Sequence, residues 1–196
     1  AQGRYAEAEA MLQKALAICE KSLPPNHPLL ALSYNNLGTL YRDQRRYAEA
    51  EAMHQKALAV QEKSLPPNHP DLALSCHNLG TLYHDQRRYA EAEAMYLKAL
   101  AIRQKSLPPN HPDLARSYNN LSYLYYQQAR YAEAEEALRE AIARAESHGL
   151  APEVLARAYR VLGEVAWATG RPQEAITHLQ KALEHIEWLR PQASTE

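Results

Sequence analysis

Tyr34–Leu58 reads YNNLGTLYRDQRRYAEAEAMHQKAL, and 42 residues later the string returns, little altered, as CHNLGTLYHDQRRYAEAEAMYLKAL at Cys76–Leu100. Its first part sets Tyr34, Leu37, Gly38 and Tyr41 at i, i+3, i+4 and i+7, which is one face of a helix. After Arg45-Arg46 the pattern resumes with Tyr47, Ala50, His54, Ala57 and Leu58, among strong helix formers. On either side lies the hexapeptide LPPNHP, starting at Leu23, Leu65 and Leu107 and using nine of the twelve prolines. Pro28, Pro70 and Pro112 suit the first helical position, where the missing N–H costs nothing. A residue before proline avoids the helical region, so each Asn-His belongs to the turn. Each period is therefore a helix pair with a short inner turn and a Pro-rich outer one. Ser22–Lys63 and Ser64–Lys105 agree at 33 of 42 positions. Self-similarity at a period of roughly 20–50 residues marks a stacked array rather than one compact core.

Composition bounds the function. The 196 residues include 34 Ala, 6 Gly, 2 Cys and no Phe, and 46% are apolar, which is ample for a core. Twenty-two basic residues against 23 acidic ones leave a net charge of −1, giving no electrostatic reason for a nucleic-acid or membrane partner. No apolar run approaches the roughly 18 residues of a membrane span, and no signal-peptide pattern is present. Cys19 and Cys76 stand in no ligand spacing, which fits a reducing, cytoplasmic setting. His27, His69 and His111 lie one repeat apart, too far to share an ion whose ligands sit about 2 Å away. Their place beside helix-starting prolines suggests capping instead. His77 and His84 are about 10 Å apart in helical rise and cannot share an ion either. No HExxH, phosphate-cradling glycine loop, nucleophile elbow or cofactor motif occurs, so neither an enzyme nor a metal or cofactor site is expected. Carboxylate pairs such as Glu49/Glu51 read as solvated charges, Arg45-Arg46 and Arg87-Arg88 as exposed turn charges, and Cys76 as a buried inert thiol.

Tyr34, Leu37-Gly38, Tyr41, Tyr47, Ala50 and Ala57 together resemble a tetratricopeptide repeat. The 42-residue period with HPDLA before the first helix is similar to the long variant of kinesin light chains and many bacterial proteins. The resemblance runs from Gly3 to Leu189. It implies an all-α, right-handed superhelical solenoid of antiparallel helix pairs. The expected organisation is one array: a half repeat at 3–22 (second helix only), repeats at 23–64, 65–106 and 107–148, a divergent repeat at 149–190, and a tail at 191–196. The half repeat and the absent initiator Met suggest a segment of a longer protein. The third full unit has Ser122 where Gly38 and Gly80 stand. The fourth is shortened by one residue and keeps Tyr159, Leu162-Gly163, Ala175 and Ala182, but has Ala166 and Pro172 at the tyrosine positions. Terminal repeats of an array are commonly atypical.

With residues 34, 37, 38 and 41 inward, steps of about 100° put residues 32, 35, 36, 39, 42 and 43 on the opposite face. The resemblance implies that this face lines a concave groove where peptides bind. The candidate binding residues are Asn35, Asn36, Thr39 and Arg42, then His77, Asn78, Thr81 and His84, then Asn119, Asn120, Tyr123 and Tyr126. Asn36, Asn78 and Asn120 are constant. Neighbouring first helices lie on the order of 10 Å apart, and an extended peptide spans about 3.3 Å per residue. One amide thus meets roughly every third peptide unit, donating and accepting at once. The resemblance carries a backbone-holding role onto these three asparagines; the alternative is that each bonds a neighbouring helix. Tyr123 and Tyr126 add aromatic area for a ligand side chain. The expectation is a protein-interaction scaffold that binds an extended or partly helical peptide in that groove, with a protein or peptide partner and no nucleic-acid or membrane partner. The alternatives are a structural, self-assembling or spacer array, associating through the open N-terminal half repeat, or a ligand-sensing regulatory array for a domain outside this segment.

Overall fold

The computed structural model describes residues 2–146 and 152–189, which form nine α-helices and no strand. They are α1 (Gln2–Ser22), α2 (Pro28–Asp43), α3 (Tyr47–Ser64), α4 (Pro70–Asp85), α5 (Tyr89–Ser106), α6 (Pro112–Gln127), α7 (Tyr131–Glu146), α8 (Pro152–Ala168) and α9 (Pro172–Leu189). The chain divides into two compact units, 1–106 and 107–196. The expected boundary at 148/149 and the tail at 191–196 lie outside the described residues.

The outer turns follow from the LPPNHP chemistry. Pro24 C=O accepts from His27 N–H at 2.9 Å, closing a β-turn, and Pro28 opens α2. His27 Nδ1 accepts from Leu29 N–H at 3.2 Å, and His69 and His111 do the same for Asp71 and Asp113. These imidazoles are N-caps, each taking an orphan N–H of the first turn.

The inner turns share one backbone solution. Arg45, Arg87, Ala129 and Gly170 have φ of 59°, 59°, 57° and 74°. The next residue's N–H reaches back to Tyr41, Tyr83, Tyr125 or Ala166 C=O at 2.8–2.9 Å. The left-handed residue itself donates to Arg42, His84, Tyr126 or Trp167 C=O at 2.8–3.1 Å. Together these two bonds form a Schellman close.

Within unit 1, α2 pairs with α3 and α4 with α5. α1 stacks on α2, α3 on α4, and the first helices α2 and α4 also touch. Leu37, Tyr41, Ala50 and Leu82 form one core cluster, joined by Leu12, Leu16, Tyr47 and Met53. Leu72, Ala73, Cys76, Ala99 and Ile102 form another. Cys76 is fully buried, and burial pushes its thiol up to about 11. Gly38 and Gly80 are required by close approach. A Cβ there would lie 2.7–2.8 Å from the His54 ring and 2.6 Å from Tyr96 respectively. Within unit 2, α6 pairs with α7 and α8 with α9. α7 stacks on α8, and α6 touches α8. Ala134, Leu138, Ala158, Val161 and Val165 form the core between them.

Tyr34 departs from its expected inward place. It is only half-buried, and its hydroxyl donates to Glu20 at 2.7 Å. Burial and that carboxylate push the phenol up to about 12.

Candidate functional site

The twelve expected groove residues divide into an exposed set and an interior set. In unit 1, Asn36 is exposed, and Thr39, Arg42, Asn78, Thr81 and His84 are half-buried along the outer face of α2 and α4. Among the described residues, neither the Asn36 nor the Asn78 amide has a protein hydrogen-bond partner. They occupy the same position on two helices that touch. Thr81 is engaged locally: its hydroxyl donates to His77 C=O at 3.0 Å and accepts from Tyr96 at 3.3 Å. The His77 ring lies 5.7 Å from Tyr96, and the His84 ring 6.1 Å from Tyr89. Arg42 bonds Asp43 at 3.1 Å and approaches Asp85 of the next repeat at 3.7 Å. The face therefore carries charge in balance rather than a basic patch.

Asn35 and Asn119 do not lie on this face. Asn35 is 6% exposed, and its amide donates to Ser75 Oγ at 2.7 Å while its carbonyl meets His54 Nδ1 at 2.9 Å. Ser75 in turn donates to Gln61 Oε1 at 2.6 Å. Asn119 is 3% exposed and donates to Val154 C=O on α8 at 2.9 Å. A single inward stripe describes a helix with one neighbour. A first helix in a stack also meets the first helix of the following repeat, and residue 35 or 119 faces that second neighbour.

In unit 2, Asn120, Tyr123 and Tyr126 are half-buried on α6. The rings of Tyr123, Tyr126 and Tyr131 follow one another at 6.5 and 6.2 Å. Arg157 and Arg160 of α8 sit over Tyr123 at 5.8 and 6.0 Å. Burial, with Glu164 nearby, pushes the Tyr126 phenol upward. Counting from Tyr159 with the shortened period places Trp167 at the Arg42/His84/Tyr126 position, and it is exposed. That register is readable in the sequence, so Trp167 could have been found by the same count, whereas the approach of Arg157 and Arg160 to Tyr123 depends on how α8 packs on α6.

The arginines of the inner turns are not merely exposed charges. Arg46 forks onto Glu49, with Nε at 2.6 Å, and reaches Glu9 on α1 at 2.7 Å. Its guanidinium stacks 4.3 Å over the Tyr41 ring. Arg88 repeats this with Glu91, Glu51 on α3 and Tyr83. Arg171 repeats it with Glu174 and with Glu135 on α7. Arg46 holds Glu9 and Glu49 below the usual carboxylate range, and Arg88 does so for Glu91. Glu49 and Glu51 are thus parts of a staple between repeats, not free solvated charges. The recurring RYAEAE string carries both ends of it.

Among the described residues, no group of three or more His, Cys, Asp or Glu is placed to hold a metal ion. No described helix is long and apolar enough to cross a membrane.

No curated protein matches the chain. Among solved structures, BtubC (BKLC) from P. vanneervenii superposes with a TM-score of 0.86 at 24% identity, covering all of this chain and 78% of that one. A Podosopora anserina protein assigned as a kinesin light chain with nearly identical TPR-like repeats gives 0.80 at 27% identity, over 97% of this chain and 90% of that one. MamA gives 0.67 at 20% identity, covering 95% and 91%. Tetratricopeptide repeat models match residues 1–63, 31–105 and 71–147, and a further one matches 119–188. With these matches spanning nearly its whole length, the chain belongs to the tetratricopeptide repeat family.

Proposed function

We propose that the exposed face of the first helices holds a peptide segment of a partner protein. Tetratricopeptide repeats are in general protein-interaction modules, and the likeness to a kinesin light chain is in keeping with that role. The observation that carries the reading is the pair Asn36 and Asn78. Their amides stand at one position on neighbouring helices, on the outer face, with no described protein partner. A side-chain amide there satisfies both the N–H and the C=O of an extended peptide. Each such contact contributes about 0.5–1.5 kcal/mol. Micromolar affinity needs about 8 kcal/mol, so side-chain contacts must supply the remainder. We take Arg42 and His84, half-buried on unit 1, as one source of these contacts, and Tyr123 and Tyr126, half-buried on unit 2, as another.

The test is selection from a diverse peptide library on the wild type and on an Asn36/Asn78/Asn120→Ala triple variant whose helicity is checked by circular dichroism. Peptides selected by the wild type and lost by the folded variant support the reading. Equal binding moves the site off these amides. An empty selection contradicts peptide capture and favours assembly or spacing.

A further inference from the structure

Near its C-terminal end α9 departs from the repeat at one corner. Counting with the shortened period sets Glu184, His185 and Trp188 where α3 has Ala59, Val60 and Lys63 and α5 has Ala101, Ile102 and Lys105. An aliphatic corner that carries a cation thus becomes an aromatic one that carries an anion. A lysine is lost and a glutamate gained.

These three side chains line a cavity of about 420 Å³ within unit 2, together with Ala145 and Glu146 of α7 and Leu155 of α8. Small-molecule sites span roughly 300–1,000 Å³ and combine apolar walls with a few polar groups. Ala145 and Leu155 are buried, whereas Trp188 is 76% exposed. The His185 ring stacks on Tyr159, with 5.7 Å between centroids and 8° between planes. Tyr159 in turn donates to Glu146 Oε1 at 3.0 Å, which orients that carboxylate. Lys181 lies 5.1 Å over the Tyr159 ring and is not part of the lining. This seam of tyrosine, glutamate and lysine belongs to the frame, since Tyr34, Glu20 and Lys56 repeat it. What is new is the corner of Glu184, His185 and Trp188 laid beside it. The lining holds two carboxylates and no Lys or Arg, and among the described residues neither carboxylate pairs with a basic side chain. With Lys181 counted, the corner still carries a net charge of −1.

We propose that this cavity binds an organic cation, a guanidinium on an apolar stem, with the charge set against Glu146 and Glu184 and the stem against Leu155 and Trp188. Charge complementarity selects the sign. An anion would meet two carboxylates, and a neutral ligand would leave both unused. The aromatic lining selects the shape. A guanidinium is planar, stacks on ring faces and pairs with a carboxylate through two parallel N–H groups. Tryptophan is the side chain that holds a cation best by its ring face. Lys63 and Lys105 place a positive charge at the same corner of the earlier repeats, so the preference belongs to the last repeat.

The test follows the Trp188 indole N–H by NMR in the full chain, at physiological salt so that long-range attraction is screened. The chain has two tryptophans, and Trp167→Phe assigns the signal. Agmatine is expected to shift it saturably, while butylurea, an uncharged analogue, leaves it in place at the same concentrations. Glu184→Ala restores the residue of α3 and keeps the fold; it should weaken agmatine about five-fold or more, and Glu146→Gln likewise. A blocked peptide, acetyl-Gly-Arg-Gly-amide, separates two sources of the same chemistry. If it binds as agmatine does, the cavity takes an arginine of a partner protein. If agmatine alone binds, the ligand is a free small molecule. Either result upholds the proposal. A Trp188 signal unmoved by both probes overturns it, as does an equal response to butylurea or agmatine affinity unchanged in Glu184→Ala.

Discussion

At the α2–α3–α4 junction of unit 1, a polar chain runs through the core, from His54 to Asn35, Ser75 and Gln61. At the corresponding α6–α7–α8 junction of unit 2, Leu138, Ala158 and Ala145 hold the places of His54, Ser75 and Gln61. Asn119 spends its amide on Val154 C=O. One consequence is visible atom by atom. Asn35 Oδ1 has the His54 ring as partner, whereas Asn119 Oδ1 is buried with none. Both junctions nevertheless keep the same inner turn and the same arginine staple. The frame of a repeat is set by turns, caps and staples, so its buried centre is free to differ. That freedom gives unit 1 a fully buried histidine, His54, whereas in unit 2 burial lowers only the less deeply placed His178.

The largest expected effect tests this difference directly. Burial, reinforced by the charge of Arg42, lowers His54 to about 4 from an ordinary value of 6.5. The native ring is therefore neutral, while the unfolded chain takes up a proton below pH 6.5. Stability contributed by the neutral ring is complete above pH 6.5 and falls as pH drops from 6.5 towards 4. Over that range the loss amounts to about 3 kcal/mol. Urea denaturation at stepped pH should show this slope in the wild type. In His54→Leu, which gives unit 1 the residue of unit 2, most of the slope should be lost, leaving the smaller part that burial of His178 contributes. A slope that survives the substitution in full would place the acid sensitivity elsewhere.

A smaller effect sharpens the same contrast. Gly80→Ala brings a Cβ to 2.6 Å from Tyr96 and should cost about 1–3 kcal/mol by overpacking. Position 122 already carries a Cβ, with Leu138 at the residue matching Tyr96, so Ser122→Ala should change stability far less. Thermal unfolding of the two variants separates them. Equal losses would mean that the two junctions are packed alike.

The smallest effect should be blind to the difference. Arg87 and Ala129 sit at left-handed φ in equivalent turns. Glycine avoids a strain of about 1–2 kcal/mol there and returns about 0.5–1 kcal/mol as entropy. Arg87→Gly and Ala129→Gly should each therefore gain up to about 1 kcal/mol, similarly in both units, by denaturant midpoint.

What the sequence made legible follows this division between frame and centre. Helix pairs, capping histidines, small residues at Gly38, Ala50 and Ala57, and the tetratricopeptide identity rest on local period and turn chemistry, and all are found. Asn35 was misplaced because a helical wheel knows one inward direction, whereas the stack supplies a second neighbour through Ser75. The arginine staple is not legible from local period because its ends lie 36 or 37 residues apart, although RYAEAE displays both. For the candidate site, the outward place of Asn36 was legible. The interior role of Asn119 depends on Val154, across a junction shortened by one residue, and no local signal announces it.

Asparagines that differ in burial allow the proposed function to be tested within one spectrum. A peptide selected on the wild type is titrated into the protein while the side-chain amide resonances of Asn35, Asn36, Asn78 and Asn119 are followed by NMR. The account predicts that Asn36 and Asn78 shift with a common binding curve while the interior amides of Asn35 and Asn119 hold still. Shifts at Asn35 or Asn119 with Asn36 and Asn78 unmoved would contradict it.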